Sequence, residues 1–131
     1  MASFTQGPRK TFYPNATGGV TVDFSQKQYY IAKLVANNTV DLASNAQTDF
    51  IVGTVNNVDR LGQELEVWMR NGSSTHKVIL GGTVALGAYL TTNSTAQAIA
   101  TVTAGDVVLG RAMQAGIAGD VIEYMPHSAK Y

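Results

Sequence analysis

Cysteine is absent from the sequence and histidine occurs twice. Disulfide frameworks and thiolate metal sites are therefore excluded, and imidazole chemistry is confined to two positions. Charge is scarce as well: 14% of the 131 residues are Asp, Glu, Lys or Arg, against roughly a quarter in an ordinary soluble domain. Nine basic side chains balance nine acidic ones. Without a net field to draw phosphate polymers or anionic lipid, nucleic-acid binding loses its main sequence-independent driving force. The partners expected are proteins, with no nucleic acid and no membrane among them. No run approaches 18 consecutive apolar residues, which excludes a helical membrane span. Met1 to Asn15 is polar, carries Arg9 and Lys10 and has no apolar h-region, so it does not read as a signal peptide. The expected product is soluble and made in the cytoplasm.

What the sequence does contain is period-two alternation over short runs separated by turn residues, the signature of half-buried strands. Candidate strands are Val20–Phe24, Tyr30–Val35, Thr39–Ala43, Phe50–Val55, Glu64–Met69, Thr75–Leu80, Ala98–Thr103, Val107–Met113 and Asp120–Met125. The turns carry Asn37-Asn38, Asn71-Gly72, Gly81-Gly82, Asn93-Ser94 and Gly105-Asp106. Thr83 to Leu90 has room for one helical turn, and Gly87 argues against anything longer. The fold class predicted is all-β, a small barrel or sandwich, in a chain whose length suits one domain. The first 27 residues differ, because Gly7-Pro8, Tyr13-Pro14 and Gly18-Gly19 interrupt every periodic segment while Phe4, Phe12 and Tyr13 stand between them. Residues 1–27 are expected to form an extended arm and residues 28–131 the barrel. Disordered tails are poor in aromatics, so an arm bearing three of them is expected to dock on a surface, either that of its own domain, as a strap across the barrel, or that of a neighbouring subunit.

An internal repeat is the most informative feature. Ile51-Val52-Gly53, then Gly62, then Leu65-Glu66-Val67-Trp68-Met69 recurs as Val108-Leu109-Gly110, Gly119 and Ile122-Glu123-Tyr124-Met125, at a constant offset of 57. Two such strand–glycine–loop–glycine–strand units are expected to pair and close a small barrel.

Little in the sequence suits catalysis. His76 lies in a candidate strand beside Lys77 and is expected to be exposed, and His127 follows Met125-Pro126 near the terminus. Their spacing matches no metal motif, so no catalytic, cofactor-binding or metal-ligating residue is assigned. Glu64 and Glu66 are expected on the water side of a strand whose other face is Leu65, Val67 and Met69. Trp68 falls on the glutamate side, where a large ring marks an interface more naturally than a core. No phosphate-binding glycine loop is present, and the four N-x-[ST] tripeptides read as turn chemistry.

The stretch Tyr30–Met125 resembles the small β-barrel decoration, or cement, proteins of tailed-phage heads. The resemblance is carried by Val40-Asp41-Leu42-Ala43, Ile51-Val52-Gly53-Thr54-Val55, Leu61-Gly62-Gln63-Glu64-Leu65-Glu66-Val67, Gly81-Gly82, Gly87-Ala88-Tyr89-Leu90, Val108-Leu109-Gly110-Arg111-Ala112-Met113 and Ala118-Gly119-Asp120-Val121. It implies a β-tulip-like barrel on the outer surface of the virion capsid, a homotrimer holding major capsid protein subunits together, and no enzyme. Phe4, Arg9, Phe12, Tyr13 and Trp68 are the candidates for capsid or inter-subunit contact, with no cofactor. Another reading is a tail or baseplate module in which Tyr29, Trp68 and Tyr89 form a platform for carbohydrate or a host receptor.

Overall fold

The computed structural model describes residues 9–58, 64–70 and 74–131, and among them there are strands and turns but no helix. The strands are β1 Arg9–Pro14, β2 Ala16–Thr17, β3 Val20–Thr21, β4 Ile31–Ala36, β5 Thr39–Leu42, β6 Ile51–Val58, β7 Leu65–Met69, β8 His76–Ile79, β9 Tyr89–Thr92, β10 Ala98–Ala100, β11 Val107–Ala112 and β12 Val121–Lys130. The fold is thus all-β. It is built from two five-stranded units of the same strand order. Unit 1 is a closed barrel, β1-β5-β4-β6-β7, sealed by parallel pairs of Tyr13 with Thr39 and Pro14 with Val40. Unit 2 runs β10-β9-β11-β12-β8, and a single parallel bridge from Leu80 to Ala98 joins its two edges.

The units match residue by residue. In the β6–β7 hairpin Gly53 faces Met69, Thr54 faces Trp68 and Val55 faces Val67. In β11–β12 Gly110 faces Pro126, Arg111 faces Met125 and Ala112 faces Tyr124, each 57 positions on. Hairpin β4–β5 recurs as β9–β10 at an offset of 58: Ala32 with Leu42 becomes Leu90 with Ala100, and Leu34 with Val40 becomes Thr92 with Ala98. Strand β1 recurs as β8 at 66, since Phe12 faces Leu65 and Val78 faces Ile122. Left-handed residues coincide too, Tyr29 with Gly87 and Asn38 with Ala96. The glycine common to both hairpins has a steric cause. A Cβ on Gly53 would run into the Trp68 carbonyl, and one on Gly110 into the Met125 carbonyl, which is the same atom one repeat later.

Equivalent side chains make the two cores. Unit 1 buries Phe12, Phe24, Ala32, Val40, Val52, Val55, Leu65 and Val67. Val78, Leu90, Ala98, Leu109, Ala112, Ile122 and Tyr124 fill the corresponding interior of unit 2, with Ile31, Ala43 and Ile51 of unit 1 packed among them. These borrowed residues enter where ring 2 is incomplete. In unit 1 the Tyr13 amide donates to the Asn38 carbonyl (2.8 Å) and draws β1 to β5. The corresponding atoms of unit 2, the Ile79 amide and the Ala96 carbonyl, do not meet. Instead, Ile79 donates to the Tyr29 carbonyl (3.0 Å) and Ala96 accepts from the Ile31 amide (2.8 Å). Tyr29–Ile31 is a wedge between β8 and the turn before β10, and it gives the Ile79 amide and the Ala96 carbonyl the partners they lack within unit 2.

Several expectations are corrected. Residues 9–24 are not an arm outside the barrel: β1 is one of its walls, Phe12 and Phe24 are buried in its core, and Val20–Thr21 pairs with Ala16–Thr17 in a short hairpin. Pro14 is the last residue of β1. The repeats do not close one barrel together: unit 1 closes its own, and unit 2 is a separate sheet whose edges meet at a single bridge. Thr83 to Leu90 holds no helical turn but a bridge at Val84 and the start of β9. Phe4, the Asn71-Gly72 turn and Gly62 lie outside the described residues.

Candidate functional site: the junction of the two units

The wedge places β6 and β7 of unit 1 against β8 and β12 of unit 2, and a cavity of about 290 Å3 remains between them, lined by Tyr29, Thr54, Asn56, Trp68, His76 and Glu123 among others. Trp68 stands edge-on to His76 with ring centroids 4.6 Å apart, and His76 edge-on to Tyr124 at 6.0 Å. The Tyr124 hydroxyl, wholly buried, lies 3.3 Å from the Thr54 hydroxyl across the junction. Burial drives the Tyr124 phenol far above its ordinary range, against the smaller opposing effect of the Thr54 bond, so it acts as a neutral donor or acceptor.

His76 is buried, not exposed. Alternation along β8 points it and Val78 inward, and the wedge covers that end of the strand. Its Nε2–H donates to the Met69 carbonyl (3.1 Å), which fixes the tautomer, and burial lowers its pKa more than that bond raises it. Its Nδ1 and the Trp68 Nε1 have no partner among the described residues. A general base needs a hydroxyl or water-bearing neighbour within hydrogen-bond reach, and the nearby Thr75 hydroxyl instead donates to Glu123 (2.7 Å).

Arg70 staples the units on the other side, its Nε donating to the Ile51 carbonyl (2.6 Å) and its Nη1 to the Val108 carbonyl (2.8 Å). Burial lowers the Arg70 pKa, and the two carbonyls supply the acceptors a buried guanidinium requires. Gln47 of unit 1 adds a bond to Asp106, which also accepts from the Thr101 hydroxyl (2.5 Å). Asp49, 57 positions earlier, accepts the Ser44 and Asn45 amides (2.7 and 2.8 Å). Each aspartate thus ties down the loop that leads into β6 or β11, the strands that carry the hairpin glycines.

The residues assigned to contact from the sequence separate into three groups. Phe12 belongs to the core. Trp68 is half-buried against the chain's own second unit. Arg9 and Tyr13 are exposed on the outer side of β1, where Arg9 lies 3.7 Å from Glu66 and Tyr13 is 49% exposed. Of the aromatics considered as a glycan platform, Tyr29 and Trp68 share the junction cavity. Tyr89 lies in unit 2, edge-on to Tyr131 and under the Arg111 guanidinium. The pattern of the sequence places Tyr29 on a candidate glycan platform and Tyr30 and Ile31 in a strand, and it does not mark Arg70; the wedge and the staple they form depend on the neighbouring unit. The coincidence of Asp49 and Asp106 at the repeat offset was the available signal for the buried loop anchors.

No protein-family model matches the chain, and no curated protein matches it in sequence. Among solved structures it is similar to the N base of the head fiber gp8.5 in bacteriophage phi29, with a TM-score of 0.59 and 21% identity over 94% of this chain and 96% of that one. The likeness spans both five-stranded units, and the fold of this chain is the fold of that fiber base.

Proposed function

We propose that the protein is a structural component of a phage head, a decoration protein that binds the outer surface of the assembled capsid as a homotrimer, contacts the major capsid protein and stabilises the shell while catalysing nothing. The observation that carries this reading is the end-to-end correspondence with a head-fiber base, 94% of one chain on 96% of the other, in agreement with the decoration-protein pattern of the sequence. The junction supports it: its histidine and tyrosine are buried in packing and hydrogen bonds that hold two units together. Scarce charge suits a coat protein present in many copies, where modest contacts sum through multivalency.

A ligand that binds only the assembled lattice shifts assembly and disassembly by mass action. Heads lacking the protein are expected to form with normal geometry and to release DNA at a lower temperature or milder osmotic shock. Purified protein added back should restore resistance. Bare heads as robust as decorated ones would remove the stabilising role, and failure to assemble without the protein would make it a core assembly component. Binding to glycans instead of purified heads would favour the receptor module.

A further inference from the structure

The face by which unit 1 meets unit 2 has a counterpart on unit 2, and among the described residues nothing packs over its Leu86, Met113 and Met125 side chains. Tyr29, Thr54, Asn56 and Trp68 line the junction, and Gln28 stands beside Tyr29. One repeat later these positions are Gly87, Arg111, Met113, Met125 and Leu86. Thr54 is only 2% exposed, whereas Arg111 is exposed, and so are Leu86 (71%), Met113 (42%) and Met125 (51%). The substitutions run against solvation: unit 1 has Gln and Asn where unit 2 offers Leu and Met to water. Exposed apolar side chains gathered on one face mark an interaction surface, and methionine adapts readily to a partner's shape.

The receiving side has a free counterpart as well. At the junction Thr75, just before β8, and Lys77 within it line the cavity, and the Ile79 amide donates to the Tyr29 carbonyl. The equivalent positions on β1 are Arg9, Thr11 and Tyr13, all exposed. The local chemistry repeats: Thr75 is bonded to Glu123 and Arg9 is paired with Glu66 at corresponding positions. Each molecule therefore displays the rim positions of both halves of its internal junction, while the counterparts of the inserted Ile31, Ala43 and Ile51 are Tyr89, Thr101 and Val108, the last two buried.

We propose that the Leu86, Met113 and Met125 face of one copy docks on the Arg9, Thr11 and Tyr13 face of a second copy, using between chains the positions equivalent to the rim of the junction within a chain. The Tyr13 amide is already held by Asn38, so this contact is made by side chains without a backbone wedge. Two different surfaces meet, which makes the association heterologous, and such contacts close into a ring when the rotation permits. The inference deepens the self-association in the proposed function by naming its two surfaces.

The test is the oligomeric state of the full chain, measured without heads by sedimentation and light scattering. Leu86→Asp/Met113→Asp destroys the donor face and Tyr13→Asp the acceptor face, and each is expected to weaken self-association at least about tenfold. All three sites are exposed, and circular dichroism with thermal melting checks the fold. Because the contact is head to tail, mixing the two variants leaves one intact donor and one intact acceptor, so a 1:1 heterodimer is expected. A wild-type protein that stays monomeric at its highest soluble concentration overturns the proposal, as do variants that assemble normally or a mixture that stays monomeric. Wild-type oligomers that ignore heads would sink the head reading and leave this contact standing. A monomer that decorates heads would do the reverse.

Discussion

Unit 1 and unit 2 share strand order, register, the hairpin glycine and the inward positions, yet one closes on itself and the other is held by its neighbour. Unit 1 fills its barrel with its own Phe12 and Phe24 and seals it through Tyr13 and Asn38. Unit 2 carries Val78 in the place of Phe12, borrows Ile31, Ala43 and Ile51, and takes the wedge between its edges. The same topology thus tolerates two ways of filling a ring. Which one operates is decided by side-chain volume at a few inward positions and by whether a second unit is present to lend residues. Unit 2 is the dependent partner, because without unit 1 its Ile79 amide, its Ala96 carbonyl and one side of its core would face water.

The largest expected effect tests the equivalence itself. Gly53→Ala and Gly110→Ala each drive a Cβ into a backbone carbonyl of the paired strand, a collision that no rotamer relieves. Each should cost about 3 kcal/mol or more, at the upper end of overpacking penalties, and the two costs should be similar in urea denaturation. Tolerance of alanine at one site and not the other would break the correspondence of the hairpins.

Next in size is a contrast between counterparts. Ile31, fully buried in the unit 2 core, and Tyr89, half-buried at the surface, occupy equivalent positions. Ile31→Ala should cost about 2–4 kcal/mol through lost burial and the cavity left behind. Tyr89→Ala should cost no more than about 1 kcal/mol, because it sits at the surface against Tyr131 and Arg111. Equal costs would show that unit 2 does not lean on unit 1.

These contrasts also explain what was legible in the sequence. Alternation exposed most of the strands because a barrel wall has a wet side and a dry side, and the repeat surfaced through Gly53 and Gly110 because a steric requirement admits one residue type. Strand β1 was hidden by Pro8 and Pro14, and β9 by its brevity, four residues after a loop. The repeat in β4–β5 and β9–β10 was invisible, since Ala32 and Leu90 or Val40 and Ala98 share only apolarity. Inward positions specify hydrophobicity more strictly than identity. The burial of His76 and Trp68 was only half legible: alternation with Val78 turns His76 inward and the polar face marked Trp68 as an interface ring, but the cover over both comes from the other unit, and period two reports only the sides of a strand's own sheet.

A smaller effect concerns the left-handed pair. Gly87 has φ +83° and Tyr29 φ +72°, so unit 1 already carries a side chain in a conformation that disfavours one. Gly87→Ala should cost about 1–2 kcal/mol from backbone strain alone. The added methyl would find only ordinary contact, 3.5 Å from an Arg111 nitrogen. A neutral thermal melt would mean that the strain carried at Tyr29 is not reproduced in unit 2.

The smallest expected effect distinguishes two residues at one repeat position, exposed Lys10 on β1 and buried His76 on β8. Burial holds the folded-state pKa of His76 below the unfolded value of 6.5, outweighing its bond to the Met69 carbonyl. Trp68 and Tyr124 face the ring, while Lys77 and Glu123 line the same cavity. When the folded pKa is the lower one, the unfolded chain binds the proton more readily. The stabilisation from keeping His76 neutral is therefore complete above about pH 6.5 and is lost as pH falls through the folded value. His76→Gln can retain a donor toward Met69 but cannot titrate. Urea midpoints of the two proteins should run parallel above neutrality and converge as the medium is acidified, with only the wild type losing this contribution. The carboxylates common to both titrate in each and cancel in the difference. Parallel curves down to about pH 5 would mean that His76 takes its proton as readily in the fold as out of it, and that unit 1 does not shield the position it covers.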